Sequence, residues 1–572
     1  MTNDEWGSTE AQAGEACPPF FIGHSALIRH SSLYEPPRTG LTATRTRTLA
    51  KAPFYLTMPP CLPTREPSLD LAREAVAADV VARCHALCGH DVRFVAAVVE
   101  QGRRVERAAL ARGLAPQALV DQWVERWQAT LDALDVACDE VVRTTETRHQ
   151  RIVQALFLKL FEQGDIYKGT RQGRYCARCE EFAPARAPEA GEASDACPEC
   201  GGLLAETAAE SYLLRVSKWQ NALSAHLKAN PSFLQPAGHH EAVLRAAAEP
   251  GLPDPSVSRA RDEWAIPVPM DRAHAVEAWF DGLVSHLTAS GYLVDPQAFE
   301  RTWPPRVQVV SPEAVGTYAF AWPALLMAAG LALPERMVVR GRIELREADS
   351  NGSRQTADGN RQGAETGQRT DEPVALAARF GSDALRYALL RAADFTSDGF
   401  LTPLALADLH GADVVGRLGR LAEATLGAIE RGRGGQVPRP GPLGSPEHGL
   451  AEAATGLFSG NGPLIDAFDF RPALDRIWAV VDRAWDYAAE AGVAGAAGEP
   501  PKTPQLDTAL YVLAETCRLV AHSLHPFLPA TAAALRERLG LGADTLTPST
   551  HGQWGVTRPL ARIARRPDRK DG

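Results

Sequence analysis

The chain has 572 residues, 45% of them hydrophobic and 23% charged, with a formal net charge of −10. This is ordinary globular composition, and the net acidity argues against a protein that coats nucleic acid with a generally basic surface, leaving only a local basic groove open. No run of roughly 18 apolar residues occurs, so no membrane-spanning helix is expected.

Residues 1–51 are rich in Ser, Thr, Arg and Pro, with one apolar patch, "PPFFIGHSALI". They read as a poorly ordered extension whose patch is a docking candidate. The polar, acidic start lacks the basic end and apolar run of a secretory signal. The reducing cytoplasm is therefore the expected setting for the ten cysteines, where clusters point to metal or catalysis before disulfides.

At Ala52 the texture changes. "APFYLTM" predicts a short buried strand, "SLDLAREAVAADVVARCHALCG" an amphipathic helix and "HDVRFVAAVV" a second strand, which is the pattern of a parallel βαβ unit. Helical stretches follow, then a cysteine-bearing insertion and a further helix, "SYLLRVSKWQNALSAHLKAN". Strand–helix alternation resumes after Trp264. From about Ala405 onward the pattern is almost wholly helical, and the tail "RPLARIARRPDRKDG" is basic. The fold class expected is α/β, a doubly wound domain split by an insertion, followed by an all-α helical bundle. The domain boundaries are residues 1–51, 52–404, 405–556 and a tail at 557–572. The insertion covers about 170–208, and an unstructured polar loop covers 349–373, "DSNGSRQTADGNRQGAETGQRTDEP".

The strongest chemical motif is "YCARCEEFAPARAPEAGEASDACPECGG". Cys176 and Cys179 form one Cys-x-x-Cys pair, and Cys197 and Cys200 form a second after seventeen residues. This is the spacing of a structural tetrathiolate zinc knuckle, each pair placing two thiolates on one tight turn, with Gly201–Gly202 letting the second turn close. Four thiolates leave no open position, so such a site holds shape; a rubredoxin-like iron site shares the spacing. Cys84, Cys88 and His90 sit on or just past a helix, with Cys84 and Cys88 on one face, and read as packing groups more readily than as ligands. His239–His240 reads as a solvated turn.

These parts, in this order, resemble methionyl-tRNA synthetase, a class I aminoacyl-tRNA synthetase, over roughly residues 52–545. The matching stretches include "EQGDIYKG", the cysteine knuckle, "ESYLLRVSKWQNAL", "SVSRARDEWAIPVP", "AWFDGLVSHLTASGY", "RFGSDALRYALLR" and "LDTALYVLAETCRLVAHSLHPFLP". The resemblance implies a Rossmann-type class I synthetase catalytic domain with a zinc-knuckle insertion and an all-α domain of the anticodon-binding type. It also implies an amino-acid carboxylate attacking the α-phosphate of ATP, with donors aimed at the phosphates.

The signature positions depart from that family. The place of His-Ile-Gly-His, at the start of the first helix, is taken by Ser68, Leu69, Asp70 and Leu71. A carboxylate there repels phosphate. The place of the mobile Lys-Met-Ser-Lys-Ser loop falls on Asp349, Ser350, Asn351, Gly352 and Ser353. The ribose-binding Gly-Lys-Asp corresponds to Ser311, Pro312 and Glu313. In the amino-acid pocket, Val99 stands where the ammonium-holding aspartate would be, beside Glu100 and Gln101, with Leu62 and Tyr318 in place of a tyrosine and a histidine. Trp279 and Asp281 survive. Anticodon-reading positions fall on Arg420 and Ala424, and the stacking Pro-Trp falls near Val493 and Ala494. Losing a stacking ring removes about 1–3 kcal/mol per base.

The resemblance and its departures lead to one expectation: a synthetase-like protein that has lost tRNA charging and acts as a non-catalytic or partner-dependent component in specialised metabolism. Zn2+ is the cofactor expected, while ATP and tRNA binding are not. The alternative is a repurposed amino-acid-ligating enzyme of the hydrazine-synthetase type. It would take an amino acid or derivative and work with a separate cupin, since no cupin His-x-His pattern is visible.

Overall fold

The computed structural model describes residues 53–541 except 177–180, 183–194, 198–200, 250, 262–263, 347–371 and 496–497. Two compact units emerge. One comprises Pro53–Ala82 and Val92–Ala412; the other takes Arg83–Asp91 together with the chain from Asp413.

The first unit is α/β. Its elements, in chain order, are β1 (Phe54–Thr57), α1 (Leu69–Leu87), β2 (Val92–Val98), β3 (Glu140–Arg143) and α2 (Thr147–Glu162). Next come β4 (Ile166–Cys176), β5 (Leu204–Leu214), β6 (Leu234–Gln235), α3 (Ala278–Ser290), β7 (Val307–Val310) and β8 (Met337–Val339). The last are β9 (Ile343–Leu345), α4 (Ser382–Arg391) and β10 (Gly399–Leu401). The main sheet has six strands in the order β3-β2-β1-β7-β8-β6, and every pairing is parallel. The β1–β2 register sets Phe54 against Val92 and Thr57 against Val95, as the βαβ reading expects. β1 and β7 are buried along their whole length, the continuous apolar pattern of a strand covered on both faces.

The order of strand addition reverses between β1 and β7, with all strands still parallel: β2 and β3 build outward on one side, β7 and β8 on the other. The crevice beyond the carboxyl ends of β1, β7 and β8 is therefore the topological switch point, where open α/β sheets bind ligands.

The insertion is a long antiparallel ladder. β4 and β5 pair from Ile166↔Leu214 to Cys176↔Leu204, which brings the cysteine-bearing segment to the far end of the ribbon. A fully buried ion pair braces the α/β unit, Arg386 Nη2 on α4 meeting Asp79 Oδ2 on α1 at 2.8 Å. Asp79 also accepts the Ala137 N–H at 2.9 Å, and Arg386 donates to the Leu134 carbonyl at 2.9 Å.

The second unit is helical: α5 (Arg420–Arg433), α6 (Ser445–Asp466), α7 (Phe470–Glu490), α8 (Pro504–Leu524) and α9 (Pro529–Arg538). Helix α8 is buried along nearly its whole length, so it forms the axis of this unit. Two details differ from the sequence expectation. The boundary at 404–405 falls inside a helix, Pro403–His410, that belongs to the α/β unit. Residues Arg83–Asp91, the last turn of α1 and the turn after it, cluster with the helical unit.

Candidate functional site

Three segments meet at the switch-point crevice: the start of α1, the turn Ser311–Glu313 after β7, and Arg340–Gly341–Arg342 after β8. Helix α1 begins where the Ser68 hydroxyl accepts the Leu71 N–H at 3.3 Å. One turn of helix then carries Asp70, Arg73 and Glu74.

The Asp70 carboxylate accepts the Ile343 N–H at 2.7 Å and lies 3.3 Å from Arg340 Nη1. Arg340 Nε donates to Glu74, which is 1% exposed. Arg342 donates twice to Glu313 Oε1, at 2.9 and 2.7 Å. Arg73 spends its terminal nitrogens on the carbonyls of Ala393 and Asp394, at 2.9 and 2.8 Å, and more distantly on Gly341 and Ser397. Burial raises the Glu74 carboxyl above its ordinary range, and Arg340 opposes that shift. Asp70 shifts upward for the same reason, again opposed by Arg340. Each guanidinium here is engaged by acceptors of the protein itself.

Gly341 sits at the centre of this arrangement. A Cβ there would lie 2.0 Å from the Ser397 carbonyl, so only glycine lets the chain pass between the two arginines.

A second cluster lies along α3. Asp281 Oδ1 meets His149 Nε2 at 2.7 Å, and His149 Nδ1 meets the Thr288 hydroxyl at 2.8 Å. The other Asp281 oxygen is buried with no hydrogen-bond partner. Trp279 donates its indole N–H to Ser256 O at 2.8 Å. The Tyr318 hydroxyl lies 2.9 Å from His286 Nε2, and Tyr55 donates to the His286 carbonyl at 2.8 Å. Burial pushes His286 down to about 3, so its imidazole is neutral. With Nε2 as acceptor, Tyr318 is the donor. Val99 packs directly on this helix: a Cβ on Gly282 would lie 2.9 Å from Val99 Cγ2.

The predicted positions thus separate into groups. Asp70 and Glu313 meet the same arginine pair. Trp279, Asp281 and Tyr318 gather on or against α3. Glu100 belongs to neither group. Its buried carboxylate is held by Arg143 Nε at 2.6 Å and by Thr145. Asp349 and Gly352 lie outside the described residues, as do Cys179 and Cys200.

Cys176 ends β4 and Cys197 sits in a turn, and both are buried. Cys197 N donates to Gly202 O at 2.6 Å and Gly201 N to Cys197 O at 2.9 Å, with Gly201 at φ +69. Two buried thiols suit a soft divalent ion. Among the described residues no group of three or more His, Cys, Asp or Glu forms a metal cluster.

In the helical unit Arg420 stacks over the Trp485 ring at 4.1 Å, and Val493 is buried. Sequence reasoning missed Arg340, Arg342, Glu74, His149 and His286. The signal for the first two was present as basic residues flanking a glycine just past the strand "MVV". His149 and His286 carried no signal, because their partners stand 132 and 32 residues away.

Comparison with known proteins places this geometry in context. Residues 55–426 match the family model "tRNA synthetases class I (M)". The chain is 33% identical over 516 residues to the methionine–tRNA ligase of Caldanaerobacter subterraneus subsp. tengcongensis, covering 90% of this chain and 78% of that one. It is 32% identical over 527 residues to that of Thermosynechococcus vestitus, covering 89% and 96%. Among solved structures, methionyl-tRNA synthetase of Mycobacterium tuberculosis in complex with methionyl-adenylate superposes with a TM-score of 0.79 at 28% identity, over 90% of this chain and 99% of that one.

Proposed function

Because the chain belongs to the methionyl-tRNA synthetase family of class I synthetases, we propose that it keeps that scaffold without charging tRNA, as a non-catalytic or partner-dependent component in specialised metabolism. One observation carries this reading. Asp70, Glu74 and Glu313 occupy the crevice together with Arg340 and Arg342, and these groups neutralise one another across it. A polyphosphate entering there would meet carboxylates at the helix start, where a phosphate-binding helix offers free N–H groups. It would also have to break ion pairs already made. The signature positions Ser68, Leu69, Asp70 and Leu71 supply neither imidazole, and Asp349 to Ser353 supply no lysine.

Zn2+ in a tetrathiolate site of Cys176, Cys179, Cys197 and Cys200 belongs to the same reading, as a structural ion that fixes the end of the β4–β5 ribbon. A cytoplasmic setting is part of the same proposal. Among the described residues no helix is long and apolar enough to cross a membrane.

Two measurements test the proposal. Calorimetric titration with Mg-ATP is expected to give no saturable heat. Amino-acid-dependent pyrophosphate exchange is expected to be absent across a panel of amino acids. Exchange with methionine would overturn it outright.

A second reading is favoured by α3. The partnerless buried Asp281 oxygen, Trp279 and the Tyr318–His286 pair keep polar recognition groups together. They suit an amino-acid derivative ligated with the help of a partner such as a cupin. Exchange that appears only with an amino acid other than methionine, or only after a partner is added, would select this reading.

A further inference from the structure

The ribbon of the insertion carries an open edge. Its sheet runs in the order Glu181–Phe182, β4, β5, so β5 is an outer strand. The ladder with β4 keeps one register from Ile166↔Leu214 to Cys176↔Leu204. In an antiparallel ladder, successive residues turn their backbone groups alternately toward the neighbouring strand and away from it. On β5 the outward set is even-numbered. At the base of the ribbon Tyr212 N donates to the Ser258 hydroxyl at 2.9 Å, and Leu214 N donates to Pro255 O at 2.9 Å. At the far end Leu204 N donates to Asp195 O at 2.8 Å. Between them stand Glu206, Ala208 and Glu210, whose outward N–H and C=O groups have no hydrogen-bond partner among the described residues.

Proteins usually blunt such a row with proline, lysine, a bulge or a covering element. The stretch "LAETAAE", residues 204–210, has no proline or lysine, and its register with β4 is unbroken. Residues 205–208 and 210 are exposed. Between the two glutamates the side chains are small and neutral: Thr207, Ala208 and Ala209.

The placing of those glutamates points to a second copy of the same strand. Two-fold antiparallel pairing of β5 with another β5 sets outward residues opposite outward residues. Centred on Glu206 or Glu210, it puts a carboxylate opposite itself. Centred on Ala208, it puts Glu206 opposite the second copy's Glu210. Both arrangements oppose like charges, which destabilises paired strands. Centred on Ala209, it calls on Tyr212, whose N–H and C=O are already taken by Ser258 and Val257. Centred on Thr207, it puts Glu206 opposite Ala208 and Thr207 beside Thr207, and threonine pairs stabilise facing strands. That register joins unpaired backbone groups and opposes no carboxylates.

We propose that two copies of this chain associate through β5, antiparallel and centred on Thr207, merging their ribbon sheets into one continuous sheet. Glu206 and Ala208 of each copy exchange N–H···O bonds with Ala208 and Glu206 of the other. A short edge buries little surface, so the association is weak and reversible. It is independent of what the crevice binds.

Sedimentation velocity of the full-length protein, over a concentration series reaching about 0.3 mM, tests the proposal. The wild type is expected to shift from monomer to dimer as concentration rises. Ala208→Pro removes an outward N–H and leaves the ladder to β4 in place, as proline does on an edge strand. It is expected to stay monomeric with an unchanged melting temperature. Two charge variants test the register. Ala208→Lys sets an ammonium opposite Glu206 of the other copy and is expected to tighten association several-fold at low salt. Ala208→Glu sets a carboxylate there and is expected to weaken it several-fold. A wild type that is monomeric at every concentration would overturn the proposal and leave the edge to an extended segment of another protein. Dimerisation that Ala208→Pro leaves undiminished would overturn it too, by putting the contact elsewhere. Lysine and glutamate variants that shift association in the same direction would refute the register centred on Thr207.

Discussion

Asp70, in the first turn of α1, accepts the backbone N–H of Ile343 at 2.7 Å, 273 residues further along the chain. The carboxylate therefore ties the helix start to β9 across the crevice. Asp70→Ala removes a hydrogen bond to a charged group and one of the carboxylates facing Arg340. A loss of about 1.5–3 kcal/mol is expected, measured by denaturant unfolding.

Arg340 and Glu74 are 7% and 1% exposed and bonded to each other, and Asp70 is a further carboxylate on Arg340. Arg340→Met leaves the Glu74 carboxylate buried beside no partner and is expected to cost about 3–5 kcal/mol. The double variant Arg340→Met/Glu74→Met removes both charges and is expected to recover most of that loss. Equal destabilisation in the single and double variants would show that the pair contributes by shape and not by charge.

Gly341 has no room for a side chain against Ser397 and Asp398. Gly341→Ala forces backbone on backbone, so a cost of about 1–3 kcal/mol or more is expected. Thermal melting checks it, with Gly316→Ala as the control because nothing lies near a Cβ at that position.

His286 supplies a pH signature. Burial holds its folded-state value at about 3, below the ordinary 6.5. Between those values the unfolded chain binds a proton that the folded chain does not. The contribution to stability is complete above pH 6.5 and is lost as pH falls toward 3, at up to about 1.4 kcal/mol per unit. His286→Gln keeps an acceptor for the Tyr318 hydroxyl but does not titrate. A melting series from pH 7 to pH 4.5 is expected to fall less steeply for this variant than for wild type.

The knuckle is tested through metal content. Cys176→Ser is expected to lower zinc per chain and to reduce the melting temperature, because a bound structural ion contributes directly to folding. Unchanged zinc and unchanged melting in this variant would remove Cys176 from the ligand set.

The α/β class and the βαβ start were legible because they rest on local patterns, the apolar run of β1 and the turn at Gly89 each lying within a short stretch of chain. Helix α1 forms where expected but is buried on nearly all sides from Ala72 to Ala82 instead of being amphipathic. The resemblance put Trp279 and Asp281 on one helix, and both lie on α3. The role of Glu100 was not. It reads as a pocket residue in sequence, yet it is anchored to Arg143 and Thr145, 43 and 45 residues away.

By itself the sequence determined the residue types at the positions that the resemblance equates with the family's signatures: a carboxylate at Asp70, no imidazole at Ser68 or Leu71, no lysine from Asp349 to Ser353. Those are statements of residue type, and residue type is what a sequence holds. Only the tertiary structure decided what these groups do instead. Asp70 and Glu74 come within reach of Arg340 because parallel strands β1 and β8 end on the same side of one sheet, although the residues are 270 and 266 positions apart. Charge pairing depends on distance in space, and the crossover connections of a parallel sheet set that distance independently of spacing along the chain.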